Sequence, residues 1–518
     1  METVVIVGAG PAGLSAGYQL LSQRQDVRVI IIEQDRQVGG ISKTVEYRGN
    51  RMDLGGHRFF SKIKDVKEIW EQMMPVQGVP IRSDLEYRQK DMYPGTADPN
   101  TEDEVMLLRR RISRIYYNSC FFDYPVTVSL ETLKKLGFIK SAQCAAGYLW
   151  SCVFKKKGNS LEDFYINRFG KPLYELFFKD YTTKLWGVSP AQLDSSWGAQ
   201  RVKKLSLSKV IFDFIAKTFN KNYKTNDTSL IEEYHYPKLG PGQMWQTMAQ
   251  KIRERGGQIR LETACEGIIC DGKRIQAVQV KDAQEQIETI QCDYLLSSMP
   301  VKDLVAKLKT DVPESVMQTA QALPYRDFVT VGVLVDKVCL ENKTDMKTLL
   351  DIPPDCWIYV QDQAVKMGRI QIFNNWSPFM LKDATSTVWL GLEYFCEEGD
   401  SFWSKTEEQI SALAISELQE MGIIAKGNVL DSVVLRQKKA YPAYFGAYAR
   451  FDEVKDYLMS FINLFCIGRN GQHRYNNMDH SMMTGILAAK CIVGQADPRD
   501  IWNVNTEQEY HEEGKQRD

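Results

Sequence analysis

The stretch that most constrains this chain lies at its start. Val4-Val5-Ile6-Val7 is a β-branched run, Gly8-Ala9-Gly10-Pro11-Ala12-Gly13 follows it, and an apolar helical pattern begins at once. A second apolar run, Val27 to Ile32, ends in Glu33, twenty residues beyond Gly13. In order, this is strand, tight glycine turn, helix, strand, acid. The three turn glycines serve a sharp turn, close backbone approach to a pyrophosphate, and close contact between helix and strand. Amides at the helix start attract phosphate, and Glu33 stands at the right separation to accept hydrogen bonds from a ribose. These residues predict a dinucleotide site. The glycine pattern alone does not decide which dinucleotide.

At 518 residues the chain exceeds what one core supports, and two or three domains are expected. Apolar residues make up 44% and the net charge is −1, the balance of a soluble globular enzyme and no footprint for nucleic acid. No charged start followed by a long apolar run marks a signal peptide, and no apolar run is long enough for a transmembrane segment. A cytoplasmic location is expected, with peripheral contact at a membrane left open. The eleven cysteines are scattered without a CxxC pair, which fits reduced thiols. With five histidines and no HxxxH, no metal site is expected.

The pattern of elements divides the chain. Residues 1–80 and 231–305 read as α/β, and 428–500 returns to the same character. Residues 81–230 turn helical after Tyr124-Pro125, with helices over Ser129 to Leu136, Ile139 to Phe154, Leu161 to Phe169 and Ser206 to Phe219. Leu85 to Tyr93 reads as a strand, Asp98 to Glu104 as a solvated charged loop, and Asn220 to Ser229 as a polar loop. Ser160 with Asp163 forms a helix cap. The aromatics of Tyr174 to Trp186 either line a pocket or pack as core. Residues 306–427 supply long strands and a helix over Lys405 to Met421, and 501–518 is a polar tail. Gly49-Asn50 and Asp271-Gly272 mark hairpins.

By this point the chain resembles the FAD-dependent amine oxidase and protoporphyrinogen oxidase superfamily, and within it the UDP-galactopyranose mutase-like branch. The resemblance is carried by Val7-Gly8-Ala9-Gly10-Pro11-Ala12-Gly13-Leu14, Glu33, Gly39-Gly40, Gly55-Gly56-His57, the Pro237/Gly240/Gly242 loop, and Gly468-Arg469 through Asn477-Met478-Asp479. It implies an α/β architecture: a Rossmann-like FAD-binding domain, discontinuous as in GR2-type flavoproteins, with a mixed α+β substrate domain and a helical insertion. It implies FAD as cofactor. Gly8, Gly10, Pro11, Ala12 and Gly13 would cradle the pyrophosphate, Gly39 and Gly40 would pass it, and Glu33, with Gln34 and Arg36 nearby, would meet the adenosine half. Gly55, Gly56 and His57 would approach the ring from one side; Gly468, Arg469, Asn477, Met478 and Asp479 would close it from the other.

The same resemblance implies one of two chemistries. One acts on a nucleotide- or lipid-linked sugar through N5 of a reduced flavin, with no net oxidation, as in polysaccharide biosynthesis. The other removes hydride from an amine, porphyrinogen or isoprenoid. The catalytic candidates are His57, Arg58, Tyr441, Arg450, His473, Arg474 and Tyr475. Tyr475 resembles one of the tyrosines that contact a diphosphate in the mutase pattern. His473 stands in the place of the other, and Arg58 replaces a usual hydrophobic residue; both are departures from that pattern. Tyr441-Pro442-Ala443-Tyr444 and Tyr448 read as an aromatic loop beside the substrate cavity. His57 is expected to orient and tune the ring rather than act as a base. His235 reads as structural. A small-molecule substrate is implied, while an external reductant and a homodimer are left open.

Overall fold

The computed structural model describes residues 1–84, 93–124, 130–195 and 233–505. The chain divides into two compact units, Met1–Arg109 with His235–Arg326 and Gln437–Glu509, and Arg110–Tyr234 with Asp327–Arg436 and Tyr510–Asp518.

The first unit is built on a five-stranded parallel sheet. Its strands are β1 (Glu2–Val7), β2 (Val27–Ile32), β3 (Gln258–Arg260), β4 (Tyr294–Ser297) and β5 (Leu464–Cys466), in the spatial order β5-β4-β1-β2-β3. β1 lies at the centre, Val4 opposite both Val29 and Tyr294. The unbroken β-branched runs follow from burial of both sheet faces. Val4, Ile6, Val29 and Ile31 face helices α1 (Pro11–Gln23), α2 (Pro241–Glu254) and α3 (Met478–Ile492). Val5, Val7, Ile30 and Ile32 face Ile268, Ile275 and Val278 of a second, four-stranded sheet. Alternate residues of one strand thus serve two cores.

The second unit carries a seven-stranded sheet in the order Val429–Pro442, Tyr325–Val335, Val388–Cys396, Arg369–Ile372, Trp357–Val360, Ser113–Tyr117, Cys120–Asp123. Helices Leu130–Leu136, Phe138–Val153, Leu161–Phe169, Lys171–Tyr174 and Asp180–Trp186 form its helical part. Ser160 caps the third of these, accepting from the Asp163 amide at 3.1 Å. The aromatics of 174–186 serve the core in part: Phe177 packs with Ile115 and Phe122, and Phe178 stacks on Tyr165 and Phe169.

Several expectations shift in detail. The first hairpin turns on Arg48-Gly49, both at positive φ, and Asn50 already pairs with Tyr47 inside the strand. The second turns on Gly272-Lys273, between the Asp271 and Arg274 pair. The strand beginning at Val429 runs on to Pro442, so Tyr441-Pro442 ends a strand rather than opening a loop. Helices Val301–Lys307 and Glu314–Gln321 and strands Met106–Arg110, Ser113–Tyr117 and Cys120–Asp123 were not anticipated. The strand expected over Leu85 to Tyr93 falls almost wholly outside the described residues, and the helix Ser206 to Phe219 and loop Asn220 to Ser229 lie outside them altogether. Among the described residues no helix is long and apolar enough to cross a membrane.

Candidate functional site

The candidate site of the first unit forms around the turn between β1 and α1. Gly8 has φ +101°, and a Cβ there would come within 2.1 Å of Ser298 Oγ. A Cβ on Gly13 would meet the Gly8 carbonyl oxygen at 2.0 Å, so this helix approaches its strand only because Gly13 has no side chain. The helical ladder of α1 begins with the Leu14 amide donating to the Gly10 carbonyl. Gly10 gives no side-chain cap. The Ala12 and Gly13 amides precede the ladder, and Pro11 has none. This is an anion-attracting first turn.

Three further segments converge on that turn. The Gly39 amide donates to the Ala9 carbonyl at 2.8 Å, placing Gly39-Gly40 alongside it. Glu33 accepts from the Ala9 amide at 2.8 Å and the Asp35 amide at 2.9 Å. Its burial raises the carboxyl pKa, against the lowering from those two amides. Each carboxylate oxygen keeps a second lone pair for a ribose hydroxyl. Gln34 and Arg36 are exposed beside it. On the other side, a Cβ on Gly468 would meet Ala12 Cβ at 3.0 Å, and the Gly468 amide donates to Thr484 Oγ1. Donor set, acid and side-chain-free cradle all fit a dinucleotide pyrophosphate and its ribose.

The His57 segment and the carboxy-terminal motif are brought together. Ser61 Oγ donates to Asp479 at 2.9 Å, and Lys490 on α3 pairs with Asp65 at 2.6 Å. His57 Nε2 lies 3.0 Å from the Ile41 carbonyl and 2.9 Å from that of Leu54. Two carbonyls at one nitrogen fix it as the protonated one. Gly55 and Gly56 sit immediately before it, and Arg58 is half-buried. Asn477 precedes α3 and its amide donates to His480 Nδ1; Met478 is buried at the first turn.

The turn after β5 grips the end of the Val429–Pro442 strand. Arg469 donates to the Ala440 carbonyl, Asn470 to that of Lys439, and His473 Nε2 to that of Ala443. Arg469 also donates to Asn476, and its guanidinium lies 4.7 Å from the Tyr475 ring and 5.8 Å from the Tyr441 ring. Those two rings stack at 5.6 Å with 14° between planes. His473 is fully buried against Tyr325, Tyr448 and Phe451, and burial lowers its pKa to about 4. It is therefore neutral at pH 7. Arg474 donates to the carbonyls of Trp502 and Val504 at 2.5 and 2.8 Å. The Tyr444 hydroxyl oxygen accepts from the Tyr475 amide. Arg450 is exposed at the start of helix Phe451–Met459.

At this site the sequence reading did not single out the buried acid Asp53. Asp53 is fully buried and accepts from Thr44 at 2.8 Å and from Tyr236, and burial raises its pKa to about 7. Thr44 in turn accepts the Gly242 amide, tying the first hairpin to the Pro237/Gly240/Gly242 loop. The separation of Asp53 from its partners in sequence hid the link. His235 bridges Phe59 through its main chain, and burial lowers its pKa.

A family model described as flavin containing amine oxidoreductase matches residues 11–492. A probable UDP-galactopyranose mutase of Klebsiella pneumoniae is 26% identical over 203 residues, covering 38% of this chain. The match spans 44% of that relative, less than half its length. Among solved structures, reduced UDP-galactopyranose mutase superposes with a TM-score of 0.77 at 19% identity, covering 98% of this chain and 97% of that one. Cyclohexylamine oxidase from Brevibacterium oxydans superposes with a TM-score of 0.59 at 13% identity, covering 95% and 99%. At these identities the structural likeness is one of fold.

Proposed function

The chain belongs to the flavin containing amine oxidoreductase family, and from that premise we propose that it is an FAD-dependent enzyme acting on a nucleotide- or lipid-linked sugar through N5 of the reduced flavin. In this reading the first unit is a Rossmann-like FAD-binding domain. The pyrophosphate lies at Gly10, Pro11 and Ala12, flanked by Gly39-Gly40, and Glu33 takes the adenosine ribose with Gln34 and Arg36 at its edge. The ring lies between Gly55-Gly56-His57 and the Gly468 turn, with the α3 amino end at Asn477–Asp479 near the ribityl chain. Bound FAD supplies an N5 able to act as nucleophile or hydride carrier.

The chain's own residues then divide the work. His57, held by two carbonyls through its N–H, orients the ring. His473 and Arg474, engaged with main-chain carbonyls, position the turn. The observation that carries the sugar reading is the parallel pair Tyr441 and Tyr475 braced by Arg469. Two phenols held in one plane direction form a rigid edge suited to diphosphate oxygens, with Arg58 and Arg450 as further candidate contacts. Action through reduced flavin requires an external reductant.

The test is anaerobic. Dithionite-reduced protein is mixed with UDP-hexoses, and the flavin spectrum and sugar ring form are followed. A spectral change with ring interconversion supports the proposal; an unchanged spectrum with every sugar overturns it. The second reading is a hydride-removing oxidoreductase, favoured by the family match itself. Bleaching of oxidised flavin by an amine or isoprenoid alone is its signature.

A further inference from the structure

The helix Phe138–Val153 in the second unit presents an apolar face to solvent. Phe138 is 88% exposed, Ile139 73%, Leu149 and Trp150 66%, and Val153 72%; Phe154 follows at 57%. Ala142, Ala145 and Ala146 are exposed between them and make the face continuous along the helix. The helix is not loosely held. Cys144 and Ser151 are buried on its inner side, and a Cβ on Gly147 would lie 2.3 Å from Pro172 Cδ, so it is packed tightly from behind. The Trp150 and Phe154 rings meet at 4.3 Å, tilted by 32°, outside the core. Apolar exposure on this scale marks an interaction site.

Charge identifies the occupant. Residues 132–161 contain six lysines, Lys134, Lys135, Lys140, Lys155, Lys156 and Lys157, and no Asp or Glu. They stand before, within and after the helix. Lys135 donates to the Phe121 carbonyl and Lys155 to the Asn167 carbonyl, and both side chains are exposed. Lys156 pairs with Glu162 and Asp163, at 3.6 and 3.2 Å. A second copy of this face would bring two rims of net positive charge together, six lysines against Glu131, Glu162 and Asp163 over residues 131–163. An anionic headgroup layer meets the whole rim at once, while the apolar face enters the acyl boundary. At 16 residues the helix is about 24 Å long, too short to span a bilayer but able to lie in its surface.

We infer that the Phe138–Val153 helix docks the protein in the plane of an anionic lipid surface. This inference is independent of the flavin assignment. The full-length, flavin-loaded protein is sedimented with phosphatidylcholine vesicles and with vesicles holding roughly 30% phosphatidylglycerol. Binding to the second, at least tenfold above the first and weakened by salt, is expected. Leu149→Glu with Val153→Glu abolishes it while circular dichroism and flavin content stay unchanged, because both residues are solvent-exposed. Lys155→Gln with Lys157→Gln weakens it roughly tenfold and flattens its salt dependence. Sedimentation velocity gives the same oligomeric state for wild type and both variants. Equal binding to the two vesicle types, no binding to either, or a dimer dissociated by Leu149→Glu would each overturn the inference.

Discussion

Replacing Gly485 with alanine sets two effects of known sign against each other. Gly485 lies within α3, and alanine in a helix interior is favoured over glycine by about 1 kcal/mol. The new Cβ, however, would stand 2.1 Å from the Ala12 carbonyl oxygen, 3.0 Å from its carbon and 3.1 Å from the Ala16 nitrogen. These are backbone atoms of α1, and no rotamer change relieves them. The two helices must separate by about 1 Å, and overpacking of this kind costs about 1–3 kcal/mol. The clash is buried and with main chain, so the upper end applies and the net is about 1–2 kcal/mol of destabilisation. Because Ala12 heads the anion-attracting turn, the shift also moves the proposed pyrophosphate seat, and FAD affinity should fall about tenfold. Gly17→Ala is the control. Its Cβ would meet the end of the Ile31 side chain at 2.9 Å, which can move, so stability should change little. Thermal melts and FAD titration of the apoprotein read both quantities. A Gly485→Ala protein that melts at or above wild type with unchanged FAD affinity would refute the reasoning.

Asp53 gives a pH prediction. Its folded pKa, raised by burial to about 7, exceeds the ordinary 3.8, so its contribution to stability is fully present below the unfolded value and is lost as pH rises through the folded one. Stability of the wild type should fall by up to about 1.4 kcal/mol per pH unit between those values, and Asp53→Asn should remove that slope in urea melts; parallel slopes would count against it. Tyr441→Phe and Tyr475→Phe should each leave FAD content unchanged and weaken the response of reduced protein to UDP-hexoses about tenfold; loss of flavin instead would assign them a structural part. His473→Phe should cost about 1–3 kcal/mol by orphaning the Ala443 carbonyl, measured by denaturant melts, and His473 itself should show no titration between pH 5.5 and 8 by NMR.

What could be read in advance was local. The run Val4 to Val7, the glycine turn and Glu33 declare themselves because each depends on neighbours a few residues away. The Ser160–Asp163 cap is legible for the same reason. The strands Met106–Arg110 and Ser113–Tyr117 were hidden by their arginines. Arg109 is nevertheless almost fully buried, and Arg114 forms a bidentate pair with Asp355, 241 residues on. Nothing local tells such an arginine from a solvated one. The polar Arg436-Gln437-Lys438-Lys439 likewise masked the continuation of a half-buried strand to Pro442. At the candidate site, Gly468 and Asn477 were recognisable as motif, but the engagement of Arg469 and His473 was not. Their partners are carbonyls of a strand end about thirty residues upstream, set by tertiary packing.

The spatial order β5-β4-β1-β2-β3 has a consequence for biosynthesis. The middle strand leaves the ribosome first, yet one of its two neighbours is made only near residue 294, and the edge strand near residue 464. α3, which seals the helical face, comes later still. Residues up to Cys466 must be translated before this sheet can close, so β1 and β2 can pair with each other early but keep their outer edges unmatched until β4 and β3 are made, the interval in which chaperone capture and aggregation compete with folding.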